Sequence, residues 1–107
     1  MALTALTSLS GTARAANEDV RCLLASNLFT KAEKDPAKRQ VALLSSYFYL
    51  GRVDARLSGQ QLAIALKAEA GTITPESAGP TMTACAKRVQ GAGAAIQVLG
   101  KDLQAGK

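Results

Sequence analysis

The sequence predicts an all-α fold, a four-helix, single-domain bundle with one disulfide, on three observations. Apolar residues make up 48% of the chain, but Ala and Leu dominate while β-branched and aromatic residues are scarce, which favours helix over strand. Apolar positions recur every three or four residues between helix start and stop signals. The two cysteines, Cys22 and Cys85, fall in the first and last of these stripes, where one bond would tie the outer helices together.

A chain of 107 residues accommodates one modest core, and at that size a covalent fastening helps. Neither cysteine sits in a metal-ligand or CxxC pattern. One long-range disulfide made in an oxidising compartment is therefore expected, against the alternative of two buried thiols in a cytosolic chain.

At the amino terminus, residues 1–9 are mildly apolar and Ala13-Arg14-Ala15 has the small-x-small pattern that signal peptidase reads. Residues 1–15 are read as the remnant of a secretory signal peptide. Residues 16–107 are then the mature helical domain, periplasmic or secreted.

The first helix is predicted to start near Asn17, where Asn17, Glu18 and Asp19 supply a cap and negative charge. Val20, Leu23, Leu24 and Leu28 form its stripe, with Cys22, Ala25 and Phe29 on a second side, and it ends near Lys34. Asp35-Pro36 then opens the second helix, with Asp as cap and Pro at the first helical position.

That second helix carries residues 41–51, Val-Ala-Leu-Leu-Ser-Ser-Tyr-Phe-Tyr-Leu-Gly, with three of the four aromatic residues. Val41, Leu44, Tyr47 and Phe48 share one face and Leu43 and Leu50 the opposite one, so cover is expected on both sides. A bilayer span takes about 20 residues. The cover should therefore be protein, and no membrane insertion of the mature domain is expected.

Leu57-Ser58-Gly59-Gln60-Gln61-Leu62 predicts the third start: Ser58 caps, Gln61 returns the capping-box bond and Leu57 staples onto Leu62. Leu62, Ala65, Leu66 and Glu69 recur at helical spacing until Gly71 stops the helix. Thr74-Pro75-Glu76 resembles another cap, but Gly79-Pro80 interrupts it, so the last helix is expected to begin near Pro80. Met82, Cys85, Val89, Ala92, Ile96, Leu99 and Leu103 make its stripe, and Gly91, Gly93 and Gly100 weaken this helix by about 1 kcal/mol each relative to Ala, tolerable if they allow close backbone approach to the helix opposite.

Several function classes drop out. The chain has no histidine, which removes Ser-His-Asp and Cys-His catalysis and the commonest metal ligand. No catalytic residue, metal ligand or cofactor is assigned. The glycine-rich stretch at residues 90–95 follows no strand and carries the helical stripe through it, so helix packing is preferred to nucleotide binding. The net charge of +5 mildly favours anionic surfaces. Its densest run, residues 31–39, mixes both signs without aromatic interleaving, so nucleic-acid binding is not expected.

The most distinctive polar cluster is Arg52, Asp54 and Arg56 beside Tyr49, where two guanidiniums at i,i+4 could grip a carboxylate or phosphate. Tyr49 is expected to be more exposed than Tyr47. The alternative is local: Asp54 neutralises the two arginines at a helix end.

The order of parts resembles a known family. Arg21-Cys22-Leu23-Leu24 in the first helix, Tyr47-Phe48-Tyr49-Leu50-Gly51 at a central helix end, the Thr74-Pro75 turn and Cys85 beyond it resemble the HdeA-like periplasmic acid-stress chaperones. The Tai-type immunity proteins look similar at this level. The first resemblance implies a helical, single-disulfide fold that loosens in acid and exposes apolar surface to clients. With only eight acidic residues and a basic excess, a sharp carboxylate-driven switch fits less well. An immunity role would want a protruding loop, and residues 71–80 carry a single charge, Glu76.

The functional expectation is a non-enzymatic exported protein that acts by binding a protein partner or by self-association. A stress chaperone, a toxin-immunity protein and a small-ligand carrier are the alternatives.

Overall fold

The computed structural model describes the backbone of residues 2–106 and the side chains of residues 14–106. Most of the segment read as a signal remnant thus lies outside the described side chains. Among the described residues the regular elements are four helices: α1 (Ala2–Ala32), α2 (Pro36–Arg56), α3 (Gly59–Ala70) and α4 (Pro75–Gln104). The all-α, four-helix fold is as expected. Helix α1 is its hub, packed against the other three, and α2 also touches α4.

The helix boundaries follow local chemistry, with three departures from expectation. Asp35 accepts a hydrogen bond from the Lys38 amide at 3.3 Å and Pro36 opens α2, as predicted. The predicted start near Asn17 is overturned, because α1 passes through residues 17–19 without a break. At α3, Ser58 has the extended backbone of a cap but its side chain makes no capping bond. The following Gly59 takes φ +54°, a conformation in which other residues are strained.

The third departure is α4, which starts at Pro75 rather than near Pro80. Thr74 Oγ1 accepts from the Ser77 amide at 3.1 Å and Ser77 Oγ accepts from the Thr74 amide at 2.9 Å, a closed capping box. Pro80 cannot donate to the Glu76 carbonyl, but both residues are exposed and water can take that bond. The proline is therefore carried inside the helix.

Val20, Cys22 and Leu23 of α1, Tyr49 and Val53 of α2, Ala65 of α3 and Cys85 of α4 form the core. Cys22 and Cys85 are joined in a disulfide with their Cα atoms 5.5 Å apart, which fastens α1 to α4.

The two-sided burial expected of α2 is not found. Ala42, Ser45, Ser46, Tyr49 and Val53 are its buried residues, whereas Val41, Leu44, Tyr47 and Leu50 are exposed. Small side chains explain the choice. Ala25 and Ser26 of α1 are buried along with Ala42 and Ser45 of α2, and the Ser26 and Ser45 hydroxyls share a hydrogen bond at 2.7 Å. Ser46 adds a second bridge by donating to Asn27 Oδ1. Large side chains on that face would hold the helices apart.

The stripe of α4 is only half covered. Cys85 is buried and Met82 and Val89 are partly so, but Ile96, Leu99 and Leu103 are 68%, 62% and 74% exposed. A Cβ at Gly91, Gly93 or Gly100 would meet nothing within 4 Å. These glycines therefore do not serve a close approach to another helix. Leu28, placed in the first stripe, is likewise exposed.

Candidate functional site

The polar centre of the molecule is Asp19, whose side chain is fully buried on α1. A buried carboxylate is tolerated only when paired and hydrogen-bonded. Three arginines do this. Arg52 Nε donates to Oδ2 at 3.0 Å, Arg56 Nη1 to the same oxygen at 3.3 Å and Arg88 Nη2 to Oδ1 at 3.4 Å. Arg52 and Arg56 stand at i,i+4 on α2 and so share a face, while Arg88 reaches in from α4. One carboxylate thus holds three helices together.

Aromatic rings fix the guanidiniums further. Arg52 lies over the Phe48 ring at 5.7 Å and Arg88 over the Tyr49 ring at 5.6 Å, attractive placements for a cation on a π-face. The two rings meet edge to face with centroids 5.0 Å apart. Tyr49 is fully buried, and its hydroxyl donates to the Cys85 carbonyl at 2.7 Å. Burial raises the Tyr49 pKa above its ordinary 10.0; Arg88 and Arg52 pull it down and Asp19 pushes it up. The phenol, arginine cluster and disulfide therefore form one contiguous unit.

A second buried carboxylate, Glu69 of α3, pairs with Arg21 of α1 at 2.8 Å. Elsewhere a groove of about 470 Å³ runs between α1, α2 and α4, with Phe29, Val41, Ala42 and Met82 among its apolar lining and Lys38 and Lys87 among its polar lining. Among the described residues no group of Cys, Asp and Glu could hold a metal ion. No described helix is long and apolar enough to cross a membrane.

Of the residues singled out in the sequence, Arg52 and Arg56 do converge, but on Asp19 rather than Asp54. Asp54 is exposed and absent from the ion pairs of the described residues. The exposure expected of Tyr49 is reversed: Tyr49 is buried and Tyr47 faces solvent. Asp19 and Arg88 were missed. The available signal for Asp19 was its register with Ala16, Leu23 and Ser26, all buried on the same side of α1. An acid in that register demands a cation from another helix.

No protein-family model matches the chain, and no curated protein or solved structure matches it either.

Proposed function

We propose that this protein is a non-enzymatic, exported interaction protein whose working surface is the uncovered half of α4, and whose first partner is a second copy of the chain. The observation that carries the reading is the α4 stripe, which leaves the core after Val89 and continues into solvent through Ile96, Leu99 and Leu103. An apolar stripe of that length without cover is characteristic of association surfaces. The groove between α1, α2 and α4 offers a complement. Its apolar floor suits those side chains, Lys38 and Lys87 suit Asp102 of an incoming α4, and Glu33 suits Lys101. Export is supported by the Cys22–Cys85 disulfide, which persists in oxidising compartments.

Sedimentation of the purified chain over a range of concentrations tests the partner. A dimer is expected that dissociates in the Ile96→Ser/Leu99→Ser/Leu103→Ser variant while its helix content stays unchanged. A wild-type chain that remains monomeric at the highest concentration rules out the second copy. The thiol state in the native host tests export, since two alkylatable cysteines would place the chain in a reducing space.

One observation favours the HdeA-like chaperone as a second reading. Asp19 and Glu69 each clamp α1 to other helices through arginine, so the packing of the bundle around α1 depends on two ion pairs whose loss would loosen it. Capture of an unfolded client at acid but not neutral pH would select this reading.

A further inference from the structure

We infer that Arg52, Arg56 and Arg88 form a receptor for a small oxyanion, a carboxylate or a phosphate, seated on the outer edges of their guanidiniums above buried Asp19. The charge count is the first argument. Three cations surround one carboxylate, so two positive charges are left over at one spot. Glu69 shows within the same molecule that a single arginine suffices for a buried carboxylate, since among the described residues Arg21 alone pairs with it. The two extra guanidiniums at Asp19 repel each other, and an external anion relieves that repulsion.

Geometry is the second argument. Each arginine spends its described hydrogen bonding on Asp19 alone, which leaves further N–H donors on every fork. The side chains of Arg52, Arg56 and Arg88 remain 35%, 42% and 44% exposed, although the carboxylate beneath them is at 0%. All three are held from below by Asp19, and Arg52 and Arg88 are also flanked by Phe48 and Tyr49, so the planar groups are pre-organised for bidentate recognition of an oxyanion. Arg88 also borders a cleft of about 350 Å³ between α1 and α4, lined further by Arg21, Thr81 and Glu18. The cleft gives room for the body of a ligand. Its carboxylate, Glu18, disfavours further negative charge inside the cleft, so the anionic group belongs on the guanidinium edges and the uncharged part of the ligand in the cleft.

The test uses the full chain with inorganic phosphate and, separately, glutarate, each against sodium chloride at matched ionic strength. The readouts are arginine Nε–H chemical shifts and thermal stability. Saturable shifts at Arg52, Arg56 and Arg88 and a raised melting temperature are expected. Saturation by phosphate only assigns a phosphate ligand, by glutarate only a carboxylate, and by both the shared oxyanion chemistry. Arg56→Gln leaves Arg52 and Arg88 to compensate Asp19 and should weaken binding about tenfold. Arg56→Lys, which keeps the charge but loses the fork, should weaken it severalfold. Shifts that chloride reproduces, or binding that survives both substitutions undiminished, would overturn the site. The α4 triple-serine variant should bind as wild type does, so the result stands or falls apart from self-association.

Discussion

The Tyr49 hydroxyl donates to the Cys85 carbonyl at 2.7 Å, so the aromatic centre of α2 is hydrogen-bonded to the disulfide-bearing turn of α4. That bond needs a neutral phenol, and burial already favours the neutral form by raising the pKa. The contribution is therefore complete below the ordinary tyrosine pKa of 10.0 and lost as pH rises through the higher folded value. An alkaline series of thermal melts should show stability falling over that window. Tyr49→Phe should remove this dependence and cost about 1 kcal/mol at neutral pH.

Asp19→Asn should destabilise the fold by about 2 kcal/mol. The figure lies below that for a wholly buried pair because the freed arginines are partly exposed and can turn to water. What remains is mutual repulsion of three cations, which salt screens. Urea denaturation at low and high sodium chloride should therefore find a smaller deficit at high salt.

Reducing Cys22–Cys85, or replacing both with serine, should lower stability by about 4 kcal/mol, the loop-entropy value for a ring of this size. Urea melts with and without a thiol reductant measure it. A fall below 1 kcal/mol would mean that the helices hold their places without the bond.

The shared hydrogen bond between Ser26 and Ser45 gives a non-additive pair. Either serine changed alone to alanine strands its partner's buried hydroxyl and should cost about 1–2 kcal/mol, whereas the double change removes both polar groups and should come close to neutral. Ser45→Leu instead forces α1 and α2 apart and should cost about 3 kcal/mol. A double-mutant cycle by thermal denaturation checks all three.

Much of the fold was legible because its signals are local. Asp35-Pro36 opened α2, and Cys22 and Cys85 were paired from compartment and stripe position. The errors arose where tertiary context overrode local pattern. Residues 17–19 have cap chemistry, yet α1 runs through them and Asp19 turns inward. Gly79-Pro80 has breaker chemistry, but the capping box at Thr74 and Ser77 had already committed the helix. Hydropathy selected the larger side chains of α2 as core, whereas close approach favoured Ala42, Ser45 and Ser46. The candidate site was half legible: Arg52 and Arg56 were visible as an i,i+4 pair, but their partner lay on another helix and their third member, Arg88, on a third.

The bond between Cys22 and Cys85 closes a covalent ring around the end of α1, all of α2 and α3 and the first turns of α4. A protease that nicks either exposed junction inside this ring, at residues 33–35 or 71–74, leaves both pieces in one molecule, separable only after reduction. A nick in the overhanging residues 91–104 sheds the tail at once. The same enzyme thus releases the apolar end of α4, whereas the nicked body stays one molecule until Cys22–Cys85 is reduced.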